Sequence, residues 1–448
     1  MKSIIRQSLL CLFLPCAAVS YAQTSEADYF SGALAGKVVS ADFADRKLDV
    51  GEVESTRKSL WDKWVKAVKA MPLPSLIATE PLDSARNGSI ALPDSLEPHA
   101  VMPYYWGTKG EISATGHTSI PTFVYLHGSG PKQIEWANGL QLALRFADAP
   151  CHYFIPQIPN EGSYYRWWQR AKQWAYRWLW LQLMTEPTVD PDRIYLFGIS
   201  EGGYGSQRLA SFYADYLAAA GPMAGGEPLQ NAPAENLGQI GFSFLTGSED
   251  FMFCRNIYTR LTQSALDSLE KVYPGEYAHR VELIEGRGHG IDYTLTTPWL
   301  LQFERNPWPR HFVWEDYEMD GLHREGFYNL KVDERPSDSL RTRYDVNIGG
   351  DGQIDIQVRN VEYIPVEKED RWGFTLKWHK AFTAAEGGRF TLFLDEHLVD
   401  LNGKATVTVN GKVVFKGKLK PNYRAMVESL ATFGDPQRIY PVALEVVY

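Results

Sequence analysis

The chain has 448 residues, 44% of them hydrophobic and 22% charged, which is too apolar for a disordered chain and long enough for two or three domains. Its 45 Lys and Arg against 54 Asp and Glu give a net charge of -9, which argues against nucleic acid as the main partner, because phosphate binding needs clustered positive charge. Aromatic residues make up 13%, with 14 Trp and 24 Tyr, enough for a heavy core or for a surface that stacks on flat ligands.

At the start of the chain, Lys2 and Arg6 precede an apolar run from Leu9 to Val19 that closes on Ser20-Tyr21-Ala22. This is the pattern of a secretory signal over residues 1–22, and it predicts a secreted or periplasmic protein. The run is too short for a membrane span, and no other stretch approaches about 20 uninterrupted apolar residues, so no integral span is expected. Cys11 and Cys16 fall inside the signal, and the remaining pair, Cys151 and Cys254, is no disulfide scaffold. No CxxC, HExxH or Cys/His cluster occurs, so no catalytic zinc and no cofactor is expected, although a carboxylate-bound calcium would leave little trace in sequence.

Residues 23–99 read as a helical and extended arm. Leu60, Trp61, Trp64, Val65 and Val68 recur at helical spacing within Val53 to Met71, and Pro72 and Pro74 end that helix. Residues 100–312 alternate short apolar runs with amphipathic segments. The runs are Thr122 to Leu126, Tyr153 to Ile158, Arg193 to Phe197, Leu217 to Pro222, Gly241 to Leu245 and Val281 to Ile284. Helices are predicted around Ile134 to Ala147, Trp167 to Met184, Gly203 to Tyr213 and Cys254 to Val272. Such alternation predicts an α/β domain with a mainly parallel sheet covered on both faces, and sites in such sheets lie beyond the carboxyl ends of the strands. Residues 313–448 read as a β-rich domain, a sandwich. Its strands are Gln353 to Val361, Gly373 to Trp378, Phe390 to Leu394, Ala405 to Val409, Val413 to Leu419 and Val442 to Val447, with Asn410-Gly411 as a hairpin turn.

Gly198-Ile199-Ser200-Glu201-Gly202-Gly203 follows the run ending at Phe197 and precedes a helix. In that setting G-x-S-x-G is a nucleophile elbow, in which glycines leave room for a strained turn that presents the serine. A serine hydroxyl needs a base, and the base needs an acid to fix its tautomer. Asp250 and His289 follow Ser200 in chain order, each just past the end of a predicted strand. Glu249 is the rival acid. Among the ten histidines none other combines strand end and downstream position as well, and His279 reads as surface. Backbone amides of Glu201 and of Ser129, in the turn His127-Gly128-Ser129-Gly130, are the expected oxyanion donors.

These residues resemble the α/β-hydrolase superfamily over roughly residues 100 to 310. Asp190-Pro191-Asp192-Arg193, the double glycine after the serine and the HGSG turn are most similar to secreted esterases of the feruloyl-esterase and polyhydroxybutyrate-depolymerase type, and to prolyl oligopeptidase-like catalytic domains. The resemblance implies serine hydrolysis of an ester or amide without choosing the substrate. Glu201 departs from it, because that position in such esterases is often uncharged. The usual strand order of the fold separates Cys151 from Cys254, which speaks against a disulfide between them.

Tyr164-Tyr165-Arg166-Trp167-Trp168 follows the strand through Ile158, at the site end of the sheet. Trp167, Ala171, Trp174, Trp178 and Leu181 recur at helical spacing and read as core, which leaves Tyr164, Tyr165 and Trp168 as candidates to hold a sugar ring or aromatic acyl group. The expected activity is a secreted carboxylesterase that removes acetyl or hydroxycinnamoyl groups from polysaccharide. The alternative is a prolyl oligopeptidase-like serine peptidase without a propeller gate, since residues 23–99 are too few to form one. The sequence leaves the oligomeric state open.

Overall fold

A computed structural model describes residues 25–84, 86–112 and 118–448. The segment read as a secretory signal, with Cys11 and Cys16, lies outside them.

Two helices open the described chain, α1 (Glu26–Leu34) and α2 (Val53–Lys69). A sheet then takes up β1 (Glu80–Pro81), β2 (Asn87–Ala91), β3 (Val101–Lys109), β4 (Ile120–Leu126), β5 (Cys151–Pro156), β6 (Val189–Ile199), β7 (Ala219–Met223), β8 (Gly241–Gly247) and β9 (His279–Ile284). Between these strands run α3 (Lys132–Arg145), α4 (Arg170–Thr185), α5 (Glu201–Tyr213) and α6 (Arg255–Val272), with α7 (Thr296–Leu300) after β9. The strand order is β1-β3-β5-β4-β6-β7-β8-β9, with β2 also on β3. From β4 to β9 every pairing is parallel, whereas β3 runs antiparallel to both β2 and β5. Counted from β2 this is the α/β-hydrolase arrangement: first, second, fourth, third, then fifth to eighth, with the second strand reversed.

Alternation along the strands builds a core on each face. β4 sends Phe123 and Tyr125 toward Trp136 of α3 and Leu300 of α7, and sends Val124 and Leu126 toward α4 and α5. All six expected core strands are present with shifted ends. The pair β2 and β3 was not expected: the Pro-rich stretch read as an arm instead supplies the antiparallel edge. His279 does not lie free on the surface as expected. It begins β9 with its ring nearly buried and 3.1 Å from Asp267 of α6. Cys151 and Cys254 are both free, with three strands of the sheet between β5 and β8. Among the described residues no helix is long and apolar enough to cross a membrane.

The rest of the chain adds β10 (His311–Asp316), β11 (Gly326–Phe327), β12 (Leu330–Glu334), β13 (Arg341–Ile348), β14 (Gln353–Lys368), β15 (Thr375–Ala384), β16 (Arg389–Leu394), β17 (Lys404–Val409), β18 (Lys412–Lys418), α8 (Tyr423–Phe433) and β19 (Val442–Val447). One sheet has the order β10-β13-β14-β17-β18, with β15 on β14, and the other the order β11-β12-β16-β19. They pack face to face: Trp314 stacks on Phe327, and Tyr344 meets Phe390 edge-on. Asn410 and Gly411 turn the β17–β18 hairpin with positive φ at both positions, as a tight turn of this type requires.

The β-rich region is not a loose appendage. Residues from its helix and from the opening helices share one core, in which Phe30 and Trp64 pack with Met426, Val427 and Leu430. Backbone joins the same ends, since Leu48 N–H donates to Pro421 O at 3.0 Å and Tyr423 N–H to Arg46 O at 2.9 Å. Below this, a buried ionic knot fastens the tail to the α/β core. Arg438 reaches Asp215 and Asp435, both at 2.7 Å; Arg305 reaches Asp435 at 2.5 Å; and Arg324 reaches Asp215 at 2.8 Å. Burial alone would raise the Asp435 carboxyl, but the guanidinium groups of Arg305 and Arg438 outweigh it and hold the group well below the carboxylate range. Asp435→Asn leaves two buried cations short of a partner. We expect it to destabilise the fold by about 3–5 kcal/mol, seen as a lower denaturation midpoint at unchanged slope. An unchanged midpoint would refute this account of the knot.

Candidate active site

β6 ends at Ile199 and α5 begins at Glu201, so Ser200 is the whole turn between strand and helix. Its backbone is held at φ 58°, ψ -113°, a region costly for a residue with a side chain. Close approach explains the glycines on either side. A Cβ on Gly198 would lie 2.3 Å from Gly202 O, and one on Gly202 would lie 1.9 Å from Leu126 O. No other residue fits either position, so the G-x-S-x-G pattern follows from the packing of β4, β6 and α5.

The loops after β8 and β9 bring the other two groups to the serine. His289 Nε2 is 3.0 Å from Ser200 Oγ, and His289 Nδ1 is 2.6 Å from Asp250 Oδ2. With Nδ1–H donating to the carboxylate, Nε2 is left to accept the serine proton. Glu249 points to solvent and takes no part. Asp250 is buried, and its Oδ1 accepts from Arg255 Nη1 at 3.0 Å. Burial would raise the Asp250 carboxyl, but the bond from His289 and the charge of Arg255 prevail and keep it below its ordinary value. Arg255 is braced in turn by Tyr204 Oη at 2.9 Å. Sequence reasoning missed this cation, whose only signal is its place in the first turn after the acid.

The turn after β4 lies beside the nucleophile: a Cβ built on Gly128 would be 3.5 Å from that of Ser200. His127 in this turn is a brace. Its Nε2 accepts from Ile158 N–H at 3.0 Å, and burial lowers its pKa to about 4, so the ring stays neutral. Tyr165 belongs to the same brace. Its hydroxyl donates to the carbonyls of Gly128 at 2.8 Å and Gly130 at 2.9 Å, and the side chain is buried. Trp167 also faces inward, donating to His127 O at 2.9 Å. Trp168 is half-buried beneath Arg208, whose guanidinium lies 3.9 Å from the ring centroid, and Tyr164 is half-buried in a turn under Lys172. Of the three candidate binding aromatics, Tyr164 and Trp168 thus stay partly exposed, each with a cation over its ring, while Tyr165 is buried. Ser129 is exposed, and Glu201 N–H belongs to the first turn of α5, where amides have no partner within the helix.

The Glu201 side chain is buried with Oε2 3.5 Å from Arg166 and with no hydrogen-bond partner for Oε1. Burial raises its pKa to about 7, against the nearby positive charge of Arg166, so its charge changes near neutrality. The arrangement as a whole brings together a serine hydroxyl, an imidazole aligned by a buried carboxylate and a first-turn amide of α5 next to the serine. These are the parts needed for acyl transfer. A separate cavity of about 400 Å³, lined by Trp64, Trp180, Arg324 and Phe433 among others, touches none of the three reacting residues.

No family model and no curated protein sequence matches the chain. Among solved structures, a thermostable esterase is similar at 20% identity over 50% of this chain, with a TM-score of 0.39; the match covers 64% of that protein, under two thirds of its length. A ferulic acid esterase is similar at 13% identity over 49% of this chain and 98% of its own, with a TM-score of 0.38. A carboxylesterase from Mesorhizobium loti is similar at 19% identity over 51% of this chain and 99% of its own, with a TM-score of 0.33.

Proposed function

We propose that the protein is an exported serine carboxylesterase that removes acetyl or hydroxycinnamoyl groups from polysaccharide. The observation that carries the hydrolase reading is His289 spanning Ser200 and Asp250 at 3.0 and 2.6 Å. Ser200 Oγ attacks the ester carbonyl as its proton passes to His289 Nε2. The oxyanion is held by the amides of Glu201 and Ser129. His289 then gives the proton to the departing sugar hydroxyl, and the acyl group stays on Ser200. Water, activated by the same imidazole, attacks the acyl-enzyme and frees the acid. The export signal over residues 1–22 and the partial exposure of Tyr164 and Trp168 support a polymeric substrate outside the cytoplasm.

A peptidase reading draws on one observation, the unpartnered Oε1 of buried Glu201, which would suit a peptide ammonium. Arg166 beside it and a pKa of about 7 weaken that fit, because the carboxyl is then partly neutral at physiological pH. A panel of acetylated xylan, feruloylated oligosaccharide and short proline-containing peptides separates the two. Ester turnover without amide cleavage is expected, and amide cleavage with no ester turnover would replace this reading by the peptidase.

A further inference from the structure

Directly after Asp250 the chain presents three apolar residues to solvent: Phe251 at 66%, Met252 at 56% and Phe253 at 39% exposure. Such a run is unusual on a soluble protein and marks a contact surface. Phe253 and Cys254 are both held at positive φ, a conformation that residues with side chains adopt rarely, so the loop is shaped to lift the Phe253 ring outward. The opposite side of the patch comes from the β-rich region. The tip between β14 and β15 carries Trp372 and Phe374, also exposed, with ring planes 14° apart. The Phe253 centroid lies 5.4 Å from that of Trp372 and 6.4 Å from that of Phe374.

This convergence is built in. Leu376 of β15 is buried with Cys254 and Tyr258, and Tyr258 Oη donates to Thr375 O at 3.1 Å. The tip is closed on itself, because Trp372 N–H donates to the Glu369 carboxylate at 2.6 Å and Glu369 N–H to Phe374 O at 2.9 Å. The patch is tied to the triad acid through one buried side chain. Arg255 lies 5.3 Å from the Phe253 ring and holds Asp250 at 3.0 Å. The loop that carries Phe251 and Phe253 begins one residue past Asp250, so it leaves the sheet at the same end as the turn that carries Ser200.

We propose that Phe253, Trp372 and Phe374 form a platform for the sugar chain that carries the scissile ester; this rests on the polysaccharide-ester reading above. Aromatic faces match the C–H faces of sugar rings, and the rim of Glu249, Glu369, Asp370 and Arg371 offers hydrogen bonds to hydroxyls, as a purely apolar partner would not need. The β-rich region thereby takes part in substrate binding through one hairpin.

The test compares the full chain with the Trp372→Ala and Phe374→Ala single variants and with the double variant. None of these residues touches the reacting groups. Unesterified xylan in native affinity electrophoresis reads the platform alone. We expect it to retard the parent chain and to bind each variant about tenfold more weakly, while hydrolysis of a small ester such as 4-nitrophenyl acetate stays unchanged. Absence of retardation for the parent chain, or equal retardation of parent and variants, overturns the platform. So does a parent dimer by light scattering that the variants abolish, since a second copy would then be the occupant. Failure to hydrolyse any ester with retardation intact would overturn the esterase reading and leave the platform standing.

Discussion

Ser200→Ala is expected to lower kcat by roughly 10⁴ to 10⁶ while leaving the fold and substrate binding in place. The size follows from the chemistry, because no other group can form the acyl-enzyme at the turn between β6 and α5. What remains is the background from the oxyanion donors and from binding. The substitution changes one oxygen and keeps the Cβ, so the backbone at φ 58° is asked to hold nothing new. Two readouts check this. Turnover of an activated ester should lose its burst of product, and a fluorophosphonate should transfer its phosphonyl group, with loss of HF, to the parent chain alone. Retention of most activity would refute the assignment of the nucleophile.

Asp250→Asn should cost about 10⁴ in kcat, with the residues still in place. The surroundings of Asp250 give the reason. Arg255 donates to Oδ1 and has no acceptor to offer, so the amide that replaces the carboxylate must turn its oxygen toward Arg255 and its NH₂ toward His289. His289 Nδ1 then becomes an acceptor and Nε2 carries the proton, which is the wrong tautomer to take a proton from Ser200. Because the buried carboxyl is held below its ordinary pKa, the parent enzyme keeps this acid ionised throughout the neutral range. Measurement of kcat in a variant whose melting is unchanged checks the prediction, and a loss under tenfold would show that Asp250 is not what fixes the tautomer.

The turn around Ser200 was legible in sequence because its glycines are forced by atoms that would collide. The loops of Asp250 and His289 were legible because each follows an apolar run long enough to be a strand. Where the aromatic residues go was only partly legible. Trp178 lies in the core as its spacing implied, but nothing local distinguishes Tyr165, whose hydroxyl braces the HGSG turn, from Tyr164 one position earlier. The edge strands β2 and β3 were hidden by Pro93, Pro98 and Pro103, although β3 does alternate buried and exposed positions. Helix α8 was overlooked in a tail read for strands, yet Tyr423, Met426, Val427, Leu430 and Phe433 recur at helical spacing between an Asn422 cap and Gly434 at φ 61°. Arg255 holding Asp250, and Phe253 meeting Trp372, are long-range pairs for which a local pattern carries no signal.

The clasp between the opening helices and α8 also governs how the chain reaches and leaves its native state. Arg424 and Asp42, paired across it at 3.1 Å, are 382 residues apart in sequence. Contacts of such separation bear the largest loop-closure entropy, so the clasp is expected to form after the α/β core. Interactions absent from the folding transition state act almost wholly on the rate of unfolding. Loosening the clasp should therefore leave the speed of folding as it is and shorten the lifetime of the folded protein, the quantity that sets its resistance to irreversible loss.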